Sequence, residues 1–179
     1  MIGPIGPAGP VGPKGDAGAA GPLSPPAPSW YGSFYDTTTQ SAPANTATAM
    51  RLNETALSNG VSIVGGGAIL FANAGVYDIQ FSAQMRKDSA SSARLDIWLR
   101  LTRGGSTSDV PDSNTSVLLG LSRKFVAAWD FMVQTQAGDQ YELMWSTGDP
   151  TMVVLYEPPQ TGPVRPATPS LIVTVMQAG

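Results

Sequence analysis

Apolar and polar residues alternate along most of this chain. Between Gly75 and Met85, the apolar residues Tyr77, Ile79, Phe81, Ala83 and Met85 are separated by Asp78, Gln80, Ser82 and Gln84. Successive side chains of an extended backbone point to opposite sides, so this segment reads as a strand with one face turned to a core. Ala93 to Thr102 repeats the pattern, with Leu95, Ile97, Leu99 and Leu101 set against Arg94, Asp96, Trp98, Arg100 and Thr102; from Lys124 to Thr135, Phe125, Ala127, Trp129, Phe131 and Val133 line one side. Shorter strands are predicted around Trp30 to Tyr35, Ala47 to Leu52, Val61 to Val64, Ala68 to Ala72, Val117 to Leu121, Tyr141 to Ser146, Met152 to Glu157 and Leu171 to Met176. The breaks carry turn residues, as in Asn59-Gly60, Gly65-Gly66-Gly67, Arg103-Gly104-Gly105, Ala137-Gly138-Asp139 and Gly148-Asp149-Pro150. About ten short antiparallel strands without an amphipathic helix between them predict an all-β jelly-roll sandwich over residues 29–179.

The first 23 residues follow a different period. Gly3, Gly6, Gly9, Gly12, Gly15, Gly18 and Gly21 recur every third position and define seven Gly-X-Y triplets ending at Leu23. Three polyproline II strands wind together only where the residue at the crowded axis has no side chain, so residues 1–23 are expected to form a collagen-like triple-helical stalk. Pro occupies the X position of five triplets (Pro4, Pro7, Pro10, Pro13 and Pro22) and no Y position, which suits a host without prolyl hydroxylase. Lys14 at Y and Asp16 at the next X are spaced to pair between neighbouring chains, a contribution of under about 1 kcal/mol for an exposed pair. At about 3.1 Å per residue the rod is at most about 65 Å long, too short to hold three chains together without help. The head is therefore expected to be the trimerising unit. Residues 24–28, Ser24-Pro25-Pro26-Ala27-Pro28, break the phase and read as a semi-rigid linker.

Composition narrows the chemistry. Charged residues make up only 13% of the chain, about half the usual share, which suggests a surface covered in part by copies of itself. A net charge of −3 with ten Lys plus Arg spread along the sequence gives no footprint for a phosphate backbone, so nucleic acid is not an expected partner. No apolar run approaches the roughly 18 residues needed to span a bilayer, and no membrane insertion is expected. Met1 leads directly into Gly-Pro repeats with no basic segment followed by an apolar one. Taken as the native start, it gives the expectation of cytoplasmic assembly into a particle released by lysis.

The chain has no His and no Cys. The commonest bases, nucleophiles and transition-metal ligands are thereby missing, and no catalytic site, cofactor or metal is expected. Asp109-Val110-Pro111-Asp112-Ser113-Asn114 could offer oxygens to Ca²⁺, but it has no fixed ligand spacing and reads as a solvated loop. Among the tryptophans, Trp129 and Trp145 fall on the apolar faces of their strands and are candidates for core or trimer-axis packing. Trp98 falls on the polar face between Asp96 and Arg100 and is the candidate for a ligand or a neighbouring subunit.

Three segments carry a resemblance. Phe71-Ala72-Asn73-Ala74-Gly75-Val76-Tyr77-Asp78-Ile79-Gln80-Phe81, Ala137-Gly138-Asp139-Gln140-Tyr141-Glu142-Leu143 and Leu99-Arg100-Leu101-Thr102-Arg103-Gly104-Gly105 resemble strand and turn motifs of the trimeric heads in the complement-first-component and tumour-necrosis-factor superfamily. By that resemblance Tyr141 and Trp145 correspond to a strand lining the trimer axis. Phe34-Tyr35-Asp36-Thr37-Thr38-Thr39-Gln40, Val126-Ala127-Ala128-Trp129-Asp130-Phe131 and Glu142-Leu143-Met144-Trp145-Ser146-Thr147 are more similar still to collagen-like fibre proteins of tailed bacteriophages. This implies a homotrimer on a virion, bound to capsid or tail proteins, whose head engages a host-surface glycan or protein. The alternative is a purely structural trimerisation or docking element without a receptor.

Overall fold

The computed structural model describes residues 1–12, 14–15, 29–120 and 123–178. Gly18, Gly21, Asp16 and the linker at residues 24–28 lie outside the described residues. From Tyr31 onward the chain forms β1 (Tyr31–Asp36), β2 (Gln40–Ser41), β3 (Thr48–Ala49), β4 (Glu54–Asn59), β5 (Val61–Val64), β6 (Ala68–Phe71), β7 (Gly75–Lys87) and β8 (Ala93–Arg103). It continues through β9 (Ser106–Asp109), β10 (Thr115–Leu119), β11 (Arg123–Thr135), β12 (Gln140–Thr147), β13 (Val153–Val154), β14 (Gln160–Thr161), β15 (Val164–Arg165) and β16 (Leu171–Gln177). Among the described residues there is no helix.

Two seven-stranded sheets make the sandwich. The first runs β2-β13-β7-β16-β1-β4, with β11 also on β7; the second runs β10-β8-β12-β6-β5, with β9 on β8 and β3 on β12. Strand length explains the branching. β7 has 13 residues and pairs along its whole length with β11, while its other partners divide it, β16 taking Tyr77 to Ala83 and β13 taking Met85 and Arg86. The chain crosses between the sheets repeatedly, as a jelly roll requires.

The core is the sum of the alternating faces. Tyr77, Ile79, Phe81, Ala83 and Met85 of β7 meet Leu95, Ile97 and Leu99 of β8 and Tyr141, Leu143 and Trp145 of β12 in one buried cluster. Phe71 holds one end of it, edge-on to Tyr77 at 4.8 Å and to Tyr141 at 5.7 Å between ring centroids. The β8–β9 hairpin closes on Gly104 (φ 57°) and Gly105 (φ 83°), the two left-handed positions that a two-residue type I′ turn needs.

Some strands differ from expectation. β4 carries no apolar alternation that predicts a strand, and all six of its residues are exposed. The strand expected over Ala47 to Leu52 shortens to Thr48–Ala49, and that over Met152 to Glu157 to Val153–Val154. Met50 and Leu52 still point into the core, held there by loop backbone.

Candidate functional site

The outer face of the first sheet has no layer over it within the protomer, and its residues follow from the register. One row across the sheet reads Met132, Asp78, Met176 and Tyr31 on β11, β7, β16 and β1. The next row on the same face is polar, Asp130, Gln80, Thr174 and Ser33, and the one beyond it reads Ala128, Ser82, Ile172 and Tyr35. Met132 is 62% exposed and Met176 56%, and Tyr31, Leu57, Val76, Val126 and Ile172 are exposed with them. Isolated apolar side chains on a surface need no explanation, but a group sharing one face of one sheet is a candidate contact surface. Where the chain enters this sheet, Trp30, Tyr31, Leu57 and Met176 line a mainly apolar hollow of about 430 Å³.

Trp129 sits at the edge of this surface. It shares the core-facing side of β11, in register with Phe81, and packs edge-on against it at 4.6 Å. Because β11 is the outermost strand, the second sheet does not cover it completely, and Trp129 and Phe131 are only half-buried at the lip of the sandwich. Tyr141 and Trp145 are placed otherwise. They are 3% and 0% exposed within the protomer, on a strand flanked on both sides in the second sheet. Within the protomer both rings lie in the core.

The glycines of the N-terminal repeat have no duty inside one chain. At Gly3, Gly6, Gly9, Gly12 and Gly15 an added Cβ would meet nothing within 4 Å. Lys14 is exposed.

Two polar clusters hold the loops. Asp139, buried behind the turn at Gly138 (φ 90°), accepts hydrogen bonds from Arg103 Nε at 2.8 Å, Arg103 Nη2 at 2.5 Å and the Gln136 N–H at 2.7 Å. Thus the Gly-Asp motif is a pinned turn: glycine supplies the left-handed backbone and aspartate ties it to the end of β8. The Arg103 guanidinium, helped by the Gln136 N–H, holds the Asp139 carboxyl below the usual carboxylate range. A depressed pKa stabilises the fold above the unfolded value of about 3.9, and that stability is lost as pH falls through the folded value. Asp139→Asn is expected to lower stability by about 1–3 kcal/mol at neutral pH. It should also flatten the loss of stability below about pH 4, both read by urea denaturation across pH.

The second cluster escaped the sequence reading. Lys87 is 0% exposed, donating to Ser89 O at 2.7 Å and Gly120 O at 3.0 Å, with Asp149 Oδ2 at 3.9 Å. Asp149 also accepts from the Ser89 hydroxyl and from the Thr151 N–H and hydroxyl, which together hold its carboxyl low. The signal was present, since Lys87 follows Met85 at the same two-residue step and so belongs to the core-facing side.

Trp98 lies on the outer face of the second sheet, half-buried, as its place among polar residues indicated. The Asp109-to-Asn114 loop folds beside it, and Ser113 ties that loop to β8 by accepting from the Leu99 N–H at 3.0 Å and donating to Val110 O at 2.8 Å. Among the described residues no three acidic side chains gather as metal ligands.

No protein-family model matches the sequence, and no curated protein matches it. Solved structures do. Eiger TNF from S. frugiperda is similar with a TM-score of 0.57 at 10% identity, covering 85% of this chain and 94% of that one. The globular domain of zebrafish complement 1qA protein gives 0.56 at 12% identity, covering 84% and 98%. Murine APRIL gives 0.51 at 11% identity, covering 84% and 100%. At these identities the likeness concerns the fold alone, a jelly-roll sandwich that this chain shares with the three structures.

Proposed function

We propose that this chain is a homotrimeric fibre or decoration protein of a bacteriophage virion, in which a collagen-like stalk carries a jelly-roll head that attaches to the host surface. The observation that carries the trimer is the glycine period. Nothing in one chain requires a missing side chain at Gly3, Gly6, Gly9, Gly12 or Gly15, whereas the axis of a triple helix requires it at each. The exposed apolar face of the first sheet, continuous with the half-open lip at Trp129, supplies a surface on which the heads of the same three chains would pack.

The reading assigns no enzymatic activity: function is trivalent presentation, in which three individually weak sites gain avidity through effective concentration. The virion, its capsid or tail proteins and the host receptor enter through the likeness of the sequence to collagen-like phage fibres. The alternative, a structural clamp or docking element with no receptor, shares the assembly and differs only in lacking a ligand.

Light scattering on the intact protein and on a version beginning at Ser29 tests the assembly. Both are expected at three times the 18.6 kDa chain mass, corrected for the deletion. A monomeric intact protein would sink the triple helix, and loss of the trimer in the shortened version alone would move the clamp from head to stalk.

A further inference from the structure

We infer that the outer face of the second sheet carries a binding site for neutral oligosaccharides, with Trp98 as its stacking platform. This deepens the attachment reading by naming where and what the head binds, and the site lies wholly within one protomer. Trp98 projects from β8 away from the core, in register with the buried Met144 of β12, and Asp96 and Arg100 flank it on the same face. A shallow hollow of about 670 Å³ opens beside it, bounded by Asp96, Asp109, Asp112 and Asn114. A second hollow of about 450 Å³ shares Asp96 and Ser146 with the first and continues past Arg94 to Ser89 and Asn45. The two form one trough along the sheet, and each is of a size associated with small-molecule sites.

The lining matches the chemistry of a pyranose, which has an apolar C–H face and a rim of hydroxyls that both donate and accept. The indole supplies a flat apolar surface, and the carboxylates, the amide and the serine hydroxyl supply partners of both kinds. Several of these groups are already held in place. Asn114 Nδ2 donates to Asp96 Oδ1 at 3.2 Å, and Arg100 Nε donates to Asp109 Oδ1 at 2.9 Å. Fixing polar groups before the ligand arrives reduces the ordering cost of binding. Charge selects within the sugars. The Trp98 half of the trough holds Asp96, Asp109 and Asp112, and the nearby Arg100 is engaged with Asp109, so an anionic sugar would meet the carboxylates of Asp96 and Asp112, which no salt bridge among the described residues neutralises.

The test uses the full-length protein with maltotetraose, mannotetraose and N-acetylchitotetraose as neutral probes and 3′-sialyllactose as the anionic comparison. Binding is read by saturation-transfer NMR and by quenching of tryptophan fluorescence. At least one neutral probe is expected to bind with Kd at or below about 1 mM. Trp98→Ala should weaken binding about tenfold or more, and Trp98→Phe and Asp112→Ala by smaller factors. Should Trp98→Ala fail to fold, the Phe and Asp112 variants carry the same comparison. Absence of binding by all three neutral probes at about 10 mM would overturn the inference. So would preferential binding of sialyllactose, or neutral binding unchanged in every variant. The mass of each sample is measured alongside, so that a monomer binding through Trp98 would refute the assembly and leave the site standing.

Discussion

Replacing Met132 and Met176 together by aspartate is expected to convert the proposed trimer into single 18.6 kDa chains. Both side chains stand on the outer face of the first sheet, in register through Asp78, and both are more than half exposed in the protomer. Covering what remains of two such side chains is worth about 2–3 kcal/mol per chain. The substitution removes that and adds two carboxylates to a surface where Asp78 already stands, so the loss exceeds the apolar term alone. Circular dichroism of the variant should match the parent, because neither side chain reaches the core. A variant that remained trimeric would exclude this face as the assembly surface.

The second large effect lies inside the sandwich. Trp145→Ala is expected to destabilise the head by about 3–5 kcal/mol, the range for emptying a buried aromatic site. Trp145 is fully enclosed, between Ile97 of β8 and Thr48 of β3 in the register of the second sheet. Its indole Nε1 is buried with no hydrogen-bond partner among the described residues. Trp145→Phe should therefore cost much less, about 1–2 kcal/mol, since phenylalanine keeps most of the volume and removes an unpaired donor. Urea denaturation at one fixed chain concentration measures both, because assembly makes apparent stability concentration-dependent. A phenylalanine variant as unstable as the alanine variant would mean that the indole nitrogen contributes to the fold.

The parts of the fold legible in the sequence were those where burial alternates with solvent. β7, β8 and β11 each have one face in the core and one outside, and a two-residue apolar period records that directly. β4 left no such record, since an edge strand exposed on both sides is held by its hydrogen bonds to β1 more than by buried side chains. For the sites, parity was a good guide to direction and a poor one to degree. It set Trp98 outward and Trp129 inward, yet could not show that Trp129 lies on an outermost strand and stays half open. The motif around Gly138 and Asp139 encodes a pinned turn, and the strand after it turns Tyr141, Leu143 and Trp145 into the core. The exposed apolar side chains on the outer face of the first sheet could not be read as a unit, because they come from different strands and meet only through strand register.

That register also determines how the head responds to tension. The chain enters at Trp30 and runs directly into β1, whose residues from Tyr31 to Asp36 face Met176 to Leu171 of β16 on one side, while β4 takes the other. Pulling on the preceding residues against a head held at its far pole would draw β1 lengthwise between two neighbours. The ladder hydrogen bonds are perpendicular to the strands, so such a load shears them together instead of unzipping them one at a time. A stalk attached there would be anchored mechanically inside a sheet, one strand in from its edge, with resistance shared across two ladders.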